Sequence, residues 1–429
     1  MFCYQCEQTP KGGCTRVGVC GKDENIASLQ DTMIFGLKGI AAYLTHAREL
    51  GFTDPEVDAI VSEALYTTLT NSNFNLQEHI NMALKVGQGT VKAMDLLDRA
   101  HTTRLGVPSP ATISQNKVEG HAILVTGHDL FALEALLQQT EGKGINIYTH
   151  SEMLPAHGYP ALKKYAHLKG NVGKAWHDQR TVFEQFPGAI LATTNCVMPI
   201  KGSYADRFFS YGIAGLEGVT KIQDNDFSPV IAKALALPVA DVASDLTLTT
   251  GFHHTTVLSI APEIIDAVKS GKIRRFFVIA GCDAPGKGGE YYRELAQSLP
   301  KECVILTTSC GKFRFNDIDF GNVPGTGIPR LIDLGQCNNS GSAVKIAVAL
   351  AEAFGCGVND LPLSIVLSWF EQKAVAILLG LFSLGVQNIY IGPKAPEFLT
   401  PGVVDVLVKT FGLKLTGTAQ EDLKAMLGE

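Results

Sequence analysis

The chain has 429 residues, 46% of them hydrophobic and 18% charged, with a formal net charge of −6. That length supports two or three domains with large cores. The mild negative charge, without a long basic run, argues against nucleic acid and anionic membrane as partners. The longest strongly apolar stretch, around Ala374 to Val386, is too short to span a bilayer. Residues 2–7 have neither the basic start nor the apolar core of a signal peptide, so the expected location is cytoplasmic. Ten cysteines are too sparse for a disulfide scaffold, and four of them fall in the first twenty residues, which indicates thiols that bind metal.

Those four are spaced Cys3-x2-Cys6-x7-Cys14-x5-Cys20. Gly12, Gly13 and Gly18 between them let a short loop wrap around a compact object. Four thiolates suit tetrahedral zinc or an iron–sulfur cluster. Structural zinc more often uses two tight pairs, and only the first pair here is tight.

Residues 25 to 105 read as three amphipathic helices closing a small bundle. Leu29, Met33, Leu37, Ile40, Leu44 and Ala47 mark the first, with Gly51 as its stop. Asp54-Pro55 is an N-cap followed by proline at the first helical position. Asn75-x-x-Glu78 has the form of a capping box, opening a third helix that runs to about Ala100. His46, His79 and His101 are read as ordinary surface or core residues. Residues 102–118 read as a linker.

A β pattern follows. Ala122–Gly127 ends on His128, Ile145–Thr149 is followed three residues later by Glu152, and Ala189–Asn195 ends on Cys196. After a boundary near Gly251 the pattern returns four times. Phe276–Gly281 ends on Cys282, Val304–Ser309 on Cys310, Leu331–Gln336 on Cys337 and Ile365–Phe370 on Glu371. Short apolar runs alternating with helical stretches indicate parallel sheets buried on both faces, whose ligands gather at the carboxyl ends of the strands. One cysteine at a strand end is an ordinary buried residue; three cysteines and a glutamate on successive strands make a site. The expected fold is therefore a multidomain α and α/β chain. A cluster-binding loop and helical bundle occupy 1–106, and two Rossmann-like parallel-sheet domains occupy 107–252 and 253–429.

Thiolates favour soft iron–sulfur chemistry, whereas imidazole and carboxylate suit harder iron with oxygen bridges. A mixed set suits a cluster with iron sites open to a small substrate, with the N-terminal thiols serving an electron relay. Glu371 can carry protons, and Lys373, two residues on, is either a surface lysine or a proton donor and charge tuning that carboxylate. Cys303 and Cys356 are read as structural.

The chain resembles the hybrid cluster protein, or prismane, family, whose members have hydroxylamine reductase activity. The resemblance covers essentially the whole chain. It rests on the N-terminal cysteine spacing, Thr126-Gly127-His128-Asp129-Leu130, Tyr148 through Pro160, Gly281-Cys282-Asp283, Ser309-Cys310-Gly311-Lys312, Gly335-Gln336-Cys337-Asn338 and Trp369-Phe370-Glu371-Gln372-Lys373. It implies a [4Fe-4S] cubane on Cys3, Cys6, Cys14 and Cys20. It also implies a hybrid [4Fe-2O-2S] cluster on His128, Glu152, Cys196, Cys282, Cys310, Cys337 and Glu371, with Cys282 at the position that carries a persulfide; with the proton-carrying reading of Glu371 and Lys373, the expected catalytic group is Glu371, Lys373 and Cys282. Hydroxylamine or nitric oxide would be the substrate and an electron-donor protein the partner, with a link to nitrosative stress. The chain has room for one helical bundle and so resembles the shorter class. Two other readings compete. A carbon monoxide dehydrogenase would use cysteine, histidine and nickel without two glutamates. A non-catalytic redox or nitric oxide sensor would not turn over.

Overall fold

The computed structural model describes residues 3–7, 12–369 and 371–429. It divides into two compact units, one formed by Met1–His101 with Ala347–Glu429, the other by Thr102–Ile346.

In the first unit, helices α1 (Glu24–Glu49), α2 (Pro55–Thr67) and α3 (Leu76–Leu105) follow the N-terminal loop. The predicted stripe of α1 is the buried one: Met33, Leu37, Ile40, Leu44 and Ala47 all lose their solvent. Asp54 Oδ1 accepts the N–H groups of Glu56 and Val57, at 2.9 and 3.3 Å, ahead of Pro55. The capping box at α3 is only half made. Asn75 Oδ1 accepts the N–H groups of Gln77 and Glu78, but the Glu78 carboxylate accepts from Asn73 Nδ2 instead of returning to Asn75. The Asn75 N–H goes to Asn73 Oδ1, a competing local acceptor. The helix also runs five residues past the expected end, because nothing before Gly106 breaks it.

The second unit carries most of the strands. The expected linker contains β1 (Ala111–Ser114), paired antiparallel with β9 (Thr247–Thr250). Then come β2 (Lys117–Thr126), β3 (Ile145–His150), β4 (Leu168–Asn171), β5 (Ala189–Ala192), β6 (Phe208–Ser210) and β7 (Thr220–Lys221). They form a parallel array in the order β4-β3-β2-β5-β6-β7, and β8 (Ala240–Val242) pairs antiparallel with β2. Strand alternation divides the central strands between two cores. Ile123, Val125, Ile147 and Leu191 enter one; Ala122, Leu124, Tyr148 and Ile190 enter the other. These strands are buried on both faces, which is why they read as continuous apolar runs. Leu124→Ala would cost about 2–5 kcal/mol. A second parallel set contains β10 (Arg275–Gly281), β11 (Cys303–Thr307) and β12 (Leu331–Asp333).

The chain then returns to the first unit, where β13 (Leu363–Ser368), β14 (Tyr390–Gly392) and β15 (Lys414–Leu415) run parallel. Phe370, the end of the expected fourth run, lies outside the described residues. Among those residues no helix is long and apolar enough to cross a membrane.

Candidate metal centre at the strand ends

The second unit gathers six of the expected donors at the carboxyl ends of its parallel strands. His128 lies two residues past β2, Glu152 in the 3-10 turn Ser151–Gly158 that follows β3, and Cys196 four residues past β5. Cys282 directly follows β10, Cys310 opens the 3-10 turn after β11, and Cys337 opens the one after β12. Ligating atoms of His128, Glu152 and Cys337 lie within 4.8 Å of one another. His128 Nε2 is 3.8 Å from Glu152 Oε2, and that oxygen accepts the Cys337 N–H at 2.8 Å.

Neighbours fix each donor. Thr194 Oγ1 accepts the His128 N–H at 2.8 Å and lies 2.7 Å from its Nδ1. With Nδ1–H donating to that oxygen, Nε2 keeps a lone pair for a metal, the usual arrangement of a ligating histidine. The approach depends on Gly127: a Cβ there would lie 2.4 Å from Thr193 Oγ1, and its φ is +116°. Gln336 Nε2 donates to the carbonyls of both His128 and Glu152, at 3.0 and 2.8 Å. The buried Lys312 ammonium binds Asp333 Oδ1 and the Gly335 carbonyl, tying the Cys310 turn to the segment before Cys337. Behind Cys282, the Asp283 carboxylate meets His177 Nε2 at 2.8 Å and accepts from Arg314 Nε at 2.6 Å, while Trp176 Nε1 donates to its carbonyl. Seven non-glycine described residues have a left-handed backbone, and three of them, Ser151, Cys196 and Ser309, sit at or beside these donors. Backbone held in so costly a region marks a functional segment.

The donor set fits a metal cluster. Burial raises the Cys310 thiol well above its ordinary value, and the charges of Glu152, Cys196 and Cys282 raise it further, against a hydrogen bond from Ser151. Anionic donors crowded into a dry pocket become stable together only around cations, and soft sulfur beside hard oxygen and nitrogen suits iron. Cys303 opens β11, at the end away from the donors, where burial pushes its thiol up to about 11, and Cys356 is exposed.

Glu371 and Lys373 belong to the first unit. Glu371 stands at the N-cap of the helix Gln372–Ser383 with extended backbone, and its side chain makes no capping hydrogen bond. Lys373 is 4% exposed, which overturns the surface reading, and its Nζ is 3.9 Å from Glu371 Oε1. In the N-terminal loop, Cys14 N–H donates to the Cys3 carbonyl at 2.6 Å in an isolated antiparallel bridge, and both side chains are buried against Ala27. Cys6 and Cys20 are half-buried, and Cys20 Sγ lies 3.6 Å from the Thr70 carbonyl. No described cysteine is joined in a disulfide. Lys22, 1% exposed, donates to Gln30 Oε1 at 2.8 Å. Sequence reading passed over Lys22, Thr194 and the task of Gln336; the only signal was that Gln336 adjoins a candidate ligand.

A four-thiol loop ahead of helices and parallel sheets, with a mixed-donor cradle at the strand ends, defines an iron–sulfur protein. The chain belongs to the Prismane/CO dehydrogenase family, whose description matches residues 1–81 and 76–424. It is 61% identical to the hydroxylamine reductase of Moorella thermoacetica over 429 residues, covering 100% of both chains. It is 51% identical to that of Thermotoga maritima, covering 100% of this chain and 99% of the other. Its fold also matches carbon monoxide dehydrogenase IV from Carboxydothermus hydrogenoformans, with a TM-score of 0.80 at 14% identity over 99% of this chain and 91% of the other.

Proposed function

We propose that the chain is a hydroxylamine reductase, converting hydroxylamine with two electrons and two protons to ammonia and water; nitric oxide reduction to nitrous oxide would be a second reaction of the same site. The observation that carries the reading is the meeting of half-buried His128 with buried Glu152 and Cys337 at the strand ends. Full-length relatives named hydroxylamine reductase support it.

On this reading Cys196, Cys282, Cys310, Cys337, His128, Glu152 and Glu371 hold a hybrid iron–sulfur–oxygen cluster. Cys3, Cys6, Cys14 and Cys20 would hold a [4Fe-4S] cluster as the electron relay from a donor protein. When bound, the hybrid cluster would supply open iron coordination and reducing electrons. The chain does the rest: the strand ends exclude water around the donors, Thr194 orients the His128 ring, and Glu371 with Lys373 holds and delivers protons. Cys282 is the candidate for a persulfide. The three regions 1–106, 107–252 and 253–429 are the proposed domains: strands before and after Gly251 lie in different sheets, although compactness groups Ala347–Glu429 with Met1–His101; the proposed location is cytoplasmic. The likeness to carbon monoxide dehydrogenase IV favours a second reading, but Glu152 beside His128 suits oxygen-bridged iron better than a thiolate and nickel site.

The test is steady turnover of hydroxylamine with an artificial electron donor on anaerobically purified protein, with metal analysis of the same sample. The expected result is turnover with about eight irons per chain, four in each cluster. Nickel with no hydroxylamine turnover would replace this reading by the second, and zinc with roughly half the iron would remove the N-terminal cluster.

A further inference from the structure

We propose that Gln336 is the positioning residue for the hard-donor side of the cradle, holding the loops of His128 and Glu152 in register with Cys337. What the cradle binds rests on the function proposed above; the register of the loops does not. Gln336 is 1% exposed, and its Nε2 donates to His128 O at 3.0 Å and to Glu152 O at 2.8 Å. A carboxamide has two N–H hydrogens, and each serves one loop. The next N–H along the chain, that of Cys337, donates to the Glu152 carboxylate. Donors from the ends of β2, β3 and β12 therefore meet around one side chain, although His128 and Glu152 are 208 and 184 residues away from it in sequence.

Gln336 is itself held rigidly. Its N–H donates to Asn339 Oδ1 at 2.9 Å, and its carbonyl accepts the Asn339 N–H at 2.9 Å. Gly335 makes room for this pairing, since a Cβ there would fall 2.5 Å from Asn339 Oδ1 and its φ is +124°. Cys282 has a separate support, since the residue after it is clamped by His177 and Arg314, whereas Cys310 meets Ser151 Oγ at 3.1 Å on the Glu152 turn itself. Loss of the Gln336 amide therefore acts first on histidine and glutamate, the donors that distinguish this cradle from an all-thiolate one, and reaches Cys310 only through the Glu152 turn. Bound-metal geometry tolerates only about half an ångström of misplacement, and removing such supporting partners weakens metal retention by about 10–100-fold.

The experiment uses full-length Gln336→Met, which keeps length without donors, and Gln336→Glu, which keeps shape and points an anion at two carbonyls. Both are compared with unaltered protein and with a His128→Ala/Glu152→Ala double variant. The readouts are EPR spectra, iron loss to a chelator, and hydrogen exchange of the metal-free chain. The expected result is an unchanged N-terminal signal and a strand-end signal matching that of the double variant. Iron loss should be about 10–100-fold faster, with exchange at the amides around His128 and Glu152 rising together. Strand-end spectra and exchange like those of the unaltered protein would overturn the proposal. So would joint loss of both signals with a lowered melting temperature, which would mark a general folding role. If the unaltered protein carries no oxygen-ligated iron, the functional reading fails, and exchange in the metal-free chain alone decides the role of Gln336.

Discussion

On the proposed function, the N-terminal thiol loop and the strand-end cradle solve one problem, holding iron with side chains, in opposite ways. The loop takes all its donors from one short local segment. Among its described residues, order comes from the bridge between Cys3 and Cys14 and from the Gly18–Lys22 and Gly21–Gly18 backbone bonds, and two of its four thiols remain half-buried. The cradle takes donors from loops far apart in sequence; those after β2, β3 and β5 are delivered by strands with a core on both faces, and the loops are locked by Thr194, Gln336 and Asp283. A loop of the first kind acquires its shape largely from what it binds, because binding and local folding are one equilibrium. A cradle of the second kind is shaped before anything enters. Preorganisation is what a site needs when its donors must also do chemistry.

The sharpest way to test that division is Glu371→Gln, which removes a charge and a proton carrier while nearly keeping the shape. Turnover per assembled strand-end cluster should fall by on the order of 10²-fold or more, while the N-terminal signal stays. Normal activity per cluster, with only a lowered melting temperature, would make Glu371 a structural residue. Next in size is Cys6→Ser. It should abolish the N-terminal signal and slow electron delivery, leaving the strand-end signal in place. The reverse pattern in EPR would break the assignment of the two sites.

Protonation should sharpen the comparison further. Hydrogen bonds to Asp178 and Asp283 raise the His177 imidazole to about 9, with Arg314 also facing it. A histidine raised from 6.5 contributes stability that is complete below 6.5 and lost as pH climbs through 9. The melting temperature should therefore decline across that window, and the decline should flatten in His177→Gln. Burial depresses His101 in the helical unit and His157 in the other, each to about 4. These stay neutral in the fold, so stability should also fall as pH drops from 6.5 towards 4. An alkaline slope unchanged in His177→Gln would show that the clamp behind Cys282 does not carry it. The smallest effect is expected for Lys22→Met. Removing a buried cation near Cys20 should lower the midpoint potential of the N-terminal cluster and leave the other unmoved; an unmoved N-terminal potential in a redox titration would deny Lys22 that influence.

The strand-end donors were legible because the physics that buries a parallel strand writes it as an unbroken apolar run, and the donor follows within a few residues. Asp54-Pro55 was legible for a similarly local reason. The half-made cap at α3 was not, since Asn73, Asn75 and Glu78 compete and only three dimensions decide among them. β1 hid inside an apparent linker because four residues pairing with a strand over a hundred residues later leave no periodic trace. Thr194 and Gln336 were illegible as supports for the same reason: their partners are 66 and as many as 208 residues distant. Lys373 read as ambiguous because lysine is usually exposed, and only its burial resolves the choice.

The first unit is discontinuous: Met1–His101 is completed by Ala347–Glu429. On a ribosome the N-terminal thiols and α1 emerge early, yet the partners of that unit arrive only after the whole of Thr102–Ile346 has been made. At ordinary elongation speed that delay is on the order of tens of seconds. Throughout it the cysteine loop is in reach of adventitious metals and oxidants while the helices it precedes lack their final packing. The six strand-end donors, by contrast, all lie on a contiguous segment that can fold as it is finished. Order of synthesis therefore favours completing the cradle's scaffold first, with the N-terminal loop closing last.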